Sequence, residues 1–421
     1  MLALFLITGC ATNIHSQFEE AKNYALEAAA PVSGSWNAEA AVWLADDIVE
    51  EMILKTINDE LAKKKSVSVS VATLTPTASL KSIDLKPDAD CSDCLRVKLE
   101  ASGDADWNIA GLKGNVPFDL STTANVKLKS SDSGGKFKVT GDVTTLSDLS
   151  VKVGGSKGLS VDLSGSLMDW ARERIVESVP TLPLVEMGGE NLPARALRVV
   201  PEADAIRVEL LTDAAHGAPL SLADATVPAD GWQVSVAQET LLDLARRAAF
   251  QHGEVTEDVW AEPTSLTLSR DSFTLGLRIW KLSGMGWWRD YEITGRLALE
   301  DKKLALKPED ASEKESSAGA GLVDPLALLG QGIILDAIVD AAAQSFPLPD
   351  AQAIGTRTLE VSVDTVRGRS GEITASGSAS LSASSSGRER GKSDDNSGSD
   401  KGSDKGKRKG GGKGGKAGQR Q

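Results

Sequence analysis

Nucleophilic, redox or zinc chemistry in this 421-residue chain would rest on three cysteines and three histidines. Cys91 and Cys94 stand together in Asp88-Ala-Asp-Cys91-Ser-Asp-Cys94. A zinc site needs a second ligand pair, and His15, His216 and His252 are scattered along the chain. Acidic neighbours disfavour a thiolate and so a reactive redox pair. In an oxidising compartment the pair reads as a local disulfide pinning the loop that enters a strand. No metal site and no cofactor is expected. A catalytic serine needs a base within hydrogen-bond reach, yet the histidines are few and scattered along the chain. Gly154-Gly-Ser-Lys157-Gly lacks the Walker spacing of a phosphate loop and falls between two strand-like runs, so it reads as a hairpin turn. With its carboxylates spread over solvated faces, the chain is read as having no catalytic residues and as a non-enzyme.

The third cysteine has a different setting. Met1-Leu-Ala-Leu-Phe-Leu-Ile-Thr-Gly-Cys10 is an apolar run ending in Ile7-Thr-Gly-Cys10. It resembles the bacterial lipobox, whose cysteine is acylated and becomes the new N-terminus. The run is short and has no Lys or Arg before it, both departures from a full signal peptide. Cys10 is thus the expected lipidation site, with residues 1–10 a signal segment and 11–35 a tether. Two acyl chains give the double anchor that stable attachment requires. The expected location is the bacterial cell envelope, at the outer membrane facing the periplasm. No later run reaches about 18 apolar residues, so no other segment is expected to span a bilayer as a helix.

Charge excludes one class of partner. The net charge is -14, but residues 388–421 carry 11 Lys/Arg against 5 Asp/Glu, leaving 35 against 55 in the body. A body near -20 repels phosphate backbones, so nucleic acid is not an expected partner. From 383 to the end Ser, Gly, Lys and Asp dominate and cannot build a core, which predicts a disordered tail.

The elements that would position any site alternate in type. Ser35 as N-cap and a stripe through Ala41, Leu44, Ile48, Met52 and Leu61 predict a long helix over 36–64. Alternating runs from Val67 to Leu163, separated by Pro87-Asp88, Ser133-Gly-Gly135 and Gly154-Gly-Ser156, predict an antiparallel meander with one aliphatic face. Ser166 is the expected cap of a second helix that stops at Pro180, followed by extended runs at 194–200 and 206–211. After a polar linker the order recurs. A Ser235/Gln238 capping box opens a helix to His252 that ends at Gly253, and strands follow at 266–268, 273–280, 291–299 and 303–306. Residues 308–320 read as a polar loop. Asp324-Pro325 then opens a helix through Ile334 and Ile338 into Phe346-Pro-Leu-Pro349, and strands at 359–366 and 372–379 close the unit. The expected domains are a first module at 36–212, a linker at 213–231 and a second module at 232–382.

The expected fold is α+β: two pseudo-repeated modules, each a highly twisted, barrel-like antiparallel sheet wrapped around a long helix, elongated overall. Its order resembles the tubular lipid-binding superfamily of bactericidal/permeability-increasing and lipopolysaccharide-binding proteins. The resemblance is carried by Phe346-Pro-Leu-Pro349 leading to Leu359-Glu-Val361-Ser-Val363, by the opening helix, and by the Val179-Pro-Thr-Leu-Pro183-Leu184 exit. It implies phospholipid-like acyl chains held between sheet and helix, with Leu44, Ile48 and Met52 lining the first channel and Ile334 and Ile338 the second. Two departures stand out: the body is acidic where well-known members carry a basic tip, and no cysteine lies on either helix of the first half. The alternative function is an envelope structural or assembly lipoprotein with the same fold and a filled core. Trp287 and Trp288, beside Gly284-Met-Gly286, are candidates for a membrane-contacting tip.

Overall fold

The computed structural model describes residues 3–32, 36–69, 72–133, 136–154, 163–178, 183–188, 194–222, 225–300, 303–317, 352–354, 357–369 and 371–383. Ile334, Ile338, Phe346–Pro349 and the predicted tail beyond Ala383, which ends β18, therefore lie outside the described residues, as does the expected cap Ser35. Residues up to Ser384 form one compact unit.

Three antiparallel sheets build that unit. The central one has the order β15-β16-β18-β10-β1-β9-β8, with β17 also on β18. Its strands are β1 (Ala40–Ala45), β8 (Ala194–Pro201), β9 (Ala205–Thr212), β10 (Gly231–Ala237), β15 (Gln352–Ile354), β16 (Arg357–Val361), β17 (Thr365–Arg369) and β18 (Glu372–Ala383). The six-stranded sheet runs in chain order through β2 (Val67–Val69), β3 (Ala72–Pro87), β4 (Cys94–Ile109), β5 (Leu112–Ser133), β6 (Lys136–Val153) and β7 (Pro183–Gly188). The four-stranded sheet comprises β11 (Val259–Leu268), β12 (Ser272–Lys281), β13 (Trp287–Glu300) and β14 (Lys303–Ser316). Four helices accompany them among the described residues: α1 (Ala3–Ala25), α2 (Asp46–Leu61), α3 (Leu163–Ser178) and α4 (Gln238–His252).

Several expectations are corrected here. The predicted helix over 36–64 is a strand followed by a helix, so Ala41 and Leu44 belong to β1. All six residues of β1 are buried: β9 and β10 flank it, Val42 and Leu44 join the main core on one face, and Trp43 packs in a second cluster with Leu220 on the other. A strand covered on both faces reads as a continuous apolar run, which periodicity cannot separate from a buried helix turn. The same reason moves Ser235 into the fully buried β10. Helix α4 has the predicted bounds but no side-chain cap, and Gln238 instead accepts the Leu268 N–H at 3.0 Å through Oε1. Gly253 ends the helix at φ +92° and ψ -148°, a positive-φ conformation that glycine tolerates but not the left-handed cap expected. Helix α3 starts at Leu163, which puts Ser166 inside it, while the turn expected after Gly154 lies outside the described residues.

Residues 308–316, expected as loop, complete edge strand β14 against β13. Exposed charges replace the apolar alternation there, as a protected sheet edge requires. The segment read as a tether is helical to Ala25, and Ile14, Phe18 and Ala25 are buried against Phe250 and Trp280.

Candidate functional site

The interior between helices and sheet is the first candidate. Strands β3 to β6 turn an almost purely aliphatic face inward, with Leu74, Leu99, Leu120 and Val139 each no more than 3% exposed. Phe118 is a rare aromatic on that face and meets Trp170 of α3 edge-on at 6.0 Å. Helix α2 packs along β3. Glu50 Oε1 accepts the Leu85 N–H at 3.1 Å, and Asn58 Oδ1 accepts the Leu80 N–H at 2.6 Å. Two side chains thereby satisfy backbone donors of an edge where strand pairing stops. Burial pushes the Glu50 carboxyl above its ordinary value, and the Leu85 N–H opposes that rise.

Leu44 from β1 and Ile48 and Met52 from α2 share one continuous core with the sheet residues, at 6%, 3% and 0% exposure. An open cavity of about 720 Å³ lies elsewhere, at the C-terminal end of α2, over Ala78 and Phe118 with Ser102, Asp104 and Lys152 at its rim. None of the three expected lining residues borders it.

The N-terminus of α2 is electrostatically loaded. Asp46, whose N–H donates to the Asp204 carbonyl at 3.1 Å, is pushed up to about 7 by burial and by the charges of Glu50, Asp204 and Asp47. Its ordinary value is 3.8, so the folded state binds this proton more tightly than the unfolded chain. The ionised form therefore costs stability, fully above about pH 7 and not at all below 3.8. Asp46→Asn is expected to raise stability at pH 8 by on the order of 1–2 kcal/mol, after allowing for partial exposure and a lost helix-end charge. Paired denaturant melts at pH 8 and pH 4 check this, and the two proteins should converge at the lower pH.

Cys91 and Cys94 are bonded to each other in the turn between β3 and β4. The same turn is held by Asp88 N–H to the Cys94 carbonyl at 3.0 Å. Asp93 lies beside the two sulfurs, but disulfide sulfurs supply no thiolate for a metal.

A second constellation escaped the sequence reading. On the outer face of the four-stranded sheet, register pairs Trp260 with Trp280 and Trp280 with Trp288, a row of three indoles across three strands. The next row on that face is Glu262, Arg278 and Asp290. Arg278 binds Asp290 through two hydrogen bonds of 2.6 and 2.7 Å and stacks on Trp288 at 4.1 Å. The signal was present as three pairs at spacing two, Trp260/Glu262, Arg278/Trp280 and Trp288/Asp290, which only strand register brings together.

Helix α1 covers this row. Phe18 sits edge-on to Trp260 and Trp280 at 5.2 and 5.7 Å, and Lys22 Nζ lies over Trp260 at 5.1 Å. Trp288 Nε1 donates to Gln17 Oε1 at 3.2 Å. Trp287 and Trp288 are both half-buried, at the start of β13, and the exposed apolar side chain of the tip is Met285, 55% exposed.

No helix among the described residues is long and apolar enough to cross a membrane. No protein-family model and no curated protein matches the chain. Among solved structures the chain is similar to lipopolysaccharide binding protein, at 13% identity and TM-score 0.37, covering 82% of this chain and 99% of that one. It is similar also to P47 of Clostridium botulinum E1, at 12% identity and TM-score 0.40, covering 82% and 100%. P47 from Clostridium botulinum A2 aligns at 10% identity and TM-score 0.35, over 81% and 97%.

Proposed function

We propose that this chain is a lipid-anchored envelope protein that binds acyl-chain lipids between its six-stranded sheet and helices α2 and α3. The observation that carries the reading is the aliphatic inner layer along which α2 lies, fastened to the sheet edge by the Glu50 and Asn58 hydrogen bonds. An acyl chain offers the same methylene contacts as the α2 stripe, at about 0.8 kcal/mol per buried methylene. The sequence resemblance at the Phe-Pro-Leu-Pro exit supports the same ligand class. Nothing in the acidic body favours nucleic acid, and we assign no catalytic role.

The test is mass spectrometry of an organic extract from the purified chain. Stoichiometric phospholipid or fatty acid is expected. A lipid-free extract would remove the reading and leave the structural lipoprotein, which the close packing of Leu44, Ile48 and Met52 favours.

Anchoring rests on Ile7-Thr-Gly-Cys10, with the outer membrane facing the periplasm as the proposed location. In a bacterial host the wild type is expected to partition into the detergent phase and Cys10→Ala into the aqueous phase. Equal partitioning of the two would count against acylation.

A further inference from the structure

The tip between β12 and β13, Leu282-Ser-Gly-Met-Gly-Trp-Trp288, contains no charged residue in a chain where a quarter of residues are charged. Its backbone is closed by the Gly286 N–H to the Ser283 carbonyl at 3.2 Å, and its Leu282 N–H donates to the Asp258 carbonyl at 2.9 Å. Gly284 and Gly286 both sit at φ +67°, a conformation other residues resist. Helix α1 runs to this tip: a Cβ on Gly286 would lie 3.0 Å from Ile14 Cγ2. Gln17 and Phe18 then fasten α1 to Trp288, Trp280 and Trp260.

Cys10 precedes Ile14 by one helical turn, a rise of about 6 Å. The helix is continuous across both positions. An acyl anchor on Cys10 is thereby tied to the tip by rigid structure and not by a flexible leash. We propose that the uncharged tip, with Met285 at its apex, is the surface that rests in the bilayer interface, and that α1 is the rigid spacer holding it there. The inference builds on the acylation of Cys10 and reassigns the membrane contact from the two tryptophans, which are engaged by α1 and the sheet, to Met285. The partner is a lipid surface, because the tip offers apolar area and backbone without charge beside the anchor.

The experiment uses the full chain, acylated in a bacterial host and reconstituted into phosphatidylethanolamine/phosphatidylglycerol vesicles. Met285→Cys and Leu112→Cys each carry a nitroxide; Leu112, 71% exposed at the turn between β4 and β5, is the comparison site. Collisional access to oxygen and to a water-soluble nickel complex reports depth. The Met285→Cys label is expected to be shielded from nickel and open to oxygen, and the Leu112→Cys label to be open to nickel. Equal nickel access at both sites, in protein whose intact mass carries the diacylglyceryl group, would overturn the inference and leave acylation standing. An intact mass without that group would overturn both. Phe18→Ala, which loosens α1 from the indole row, is expected to keep the protein on the vesicles while the Met285→Cys label moves into water. An unmoved label would refute the spacer role of α1.

Discussion

Ile48→Trp is expected to strip co-purifying lipid from the protein while the fold survives. Ile48 lies on the inner face of α2, 3% exposed and within the core shared with β3 to β6. Indole adds roughly the bulk of two to three methylenes, which an acyl chain in the same layer must vacate. At about 0.8 kcal/mol per methylene the ligand loses about 2 kcal/mol, a factor of about 30 in affinity. Lipid per chain, read by extraction and mass spectrometry, should fall accordingly, with the denaturation midpoint nearly unchanged. A solid core responds differently: the ring overpacks fixed neighbours and costs about 1–3 kcal/mol, with no lipid to lose. A destabilised variant of a lipid-free wild type would therefore establish the structural reading.

Trp280→Ala is expected to be the most damaging single change outside the main core, lowering stability by about 3–5 kcal/mol. Trp280 is fully buried between the indoles of Trp260 and Trp288 and donates from Nε1 to Glu262 Oε2 at 2.8 Å. Truncation leaves a cavity under Phe18 and removes a hydrogen bond from a buried carboxylate. Burial already pushes Glu262 above its ordinary value of 4.5, and the Trp280 N–H is the strongest of the contacts holding it down. Because the raised value penalises the ionised form, the cost is present above the folded pKa and fades as pH falls below 4.5. Trp280→Phe keeps one aromatic ring and loses the N–H donor with part of the indole volume, a loss that does not depend on pH. Its deficit should be larger at pH 8 than at pH 4, by on the order of 1–2 kcal/mol for the unpaired carboxylate. Denaturant melts at the two pH values measure it, and a deficit independent of pH would show that Glu262 is not the cause.

Much of the architecture was legible in local pattern. The alternation from Val67 onward predicts the β3 to β6 meander, and the turns at Pro87-Asp88 and Ser133-Gly-Gly135 fall where the strands end. The bounds of α4 and its stop at Gly253 follow from a periodic stripe and a glycine at positive φ, both local properties of a few residues. These elements have one wet face, so burial writes its period into the sequence.

Where tertiary structure covers both faces, that period disappears. Ala40–Ala45 and Gly231–Ala237 are buried on every side: neighbouring strands close their edges, and separate apolar clusters, one holding Val42 and Val234 and the other Trp43 and Ala237, cover the two faces, which neither run says by itself. Edge strand β14 fails for the opposite reason: among the described residues no strand pairs with its outer edge, and exposed charges hide its pairing with β13. Leu44, Ile48 and Met52 were legible as apolar, but strand and helix placement decided that they join one cluster of buried residues with the sheet and lie apart from the open cavity.

The indole row is the strongest case. Trp260, Trp280 and Trp288 are far apart in sequence, and only the antiparallel registers of β11, β12 and β13 align them. Residue types and spacings determined which segments could be helix, strand, anchor or disulfide. Register and the packing of α1 decided which side chains meet, because a side chain's neighbours across a sheet are set by pairing at distances that no local sequence pattern encodes.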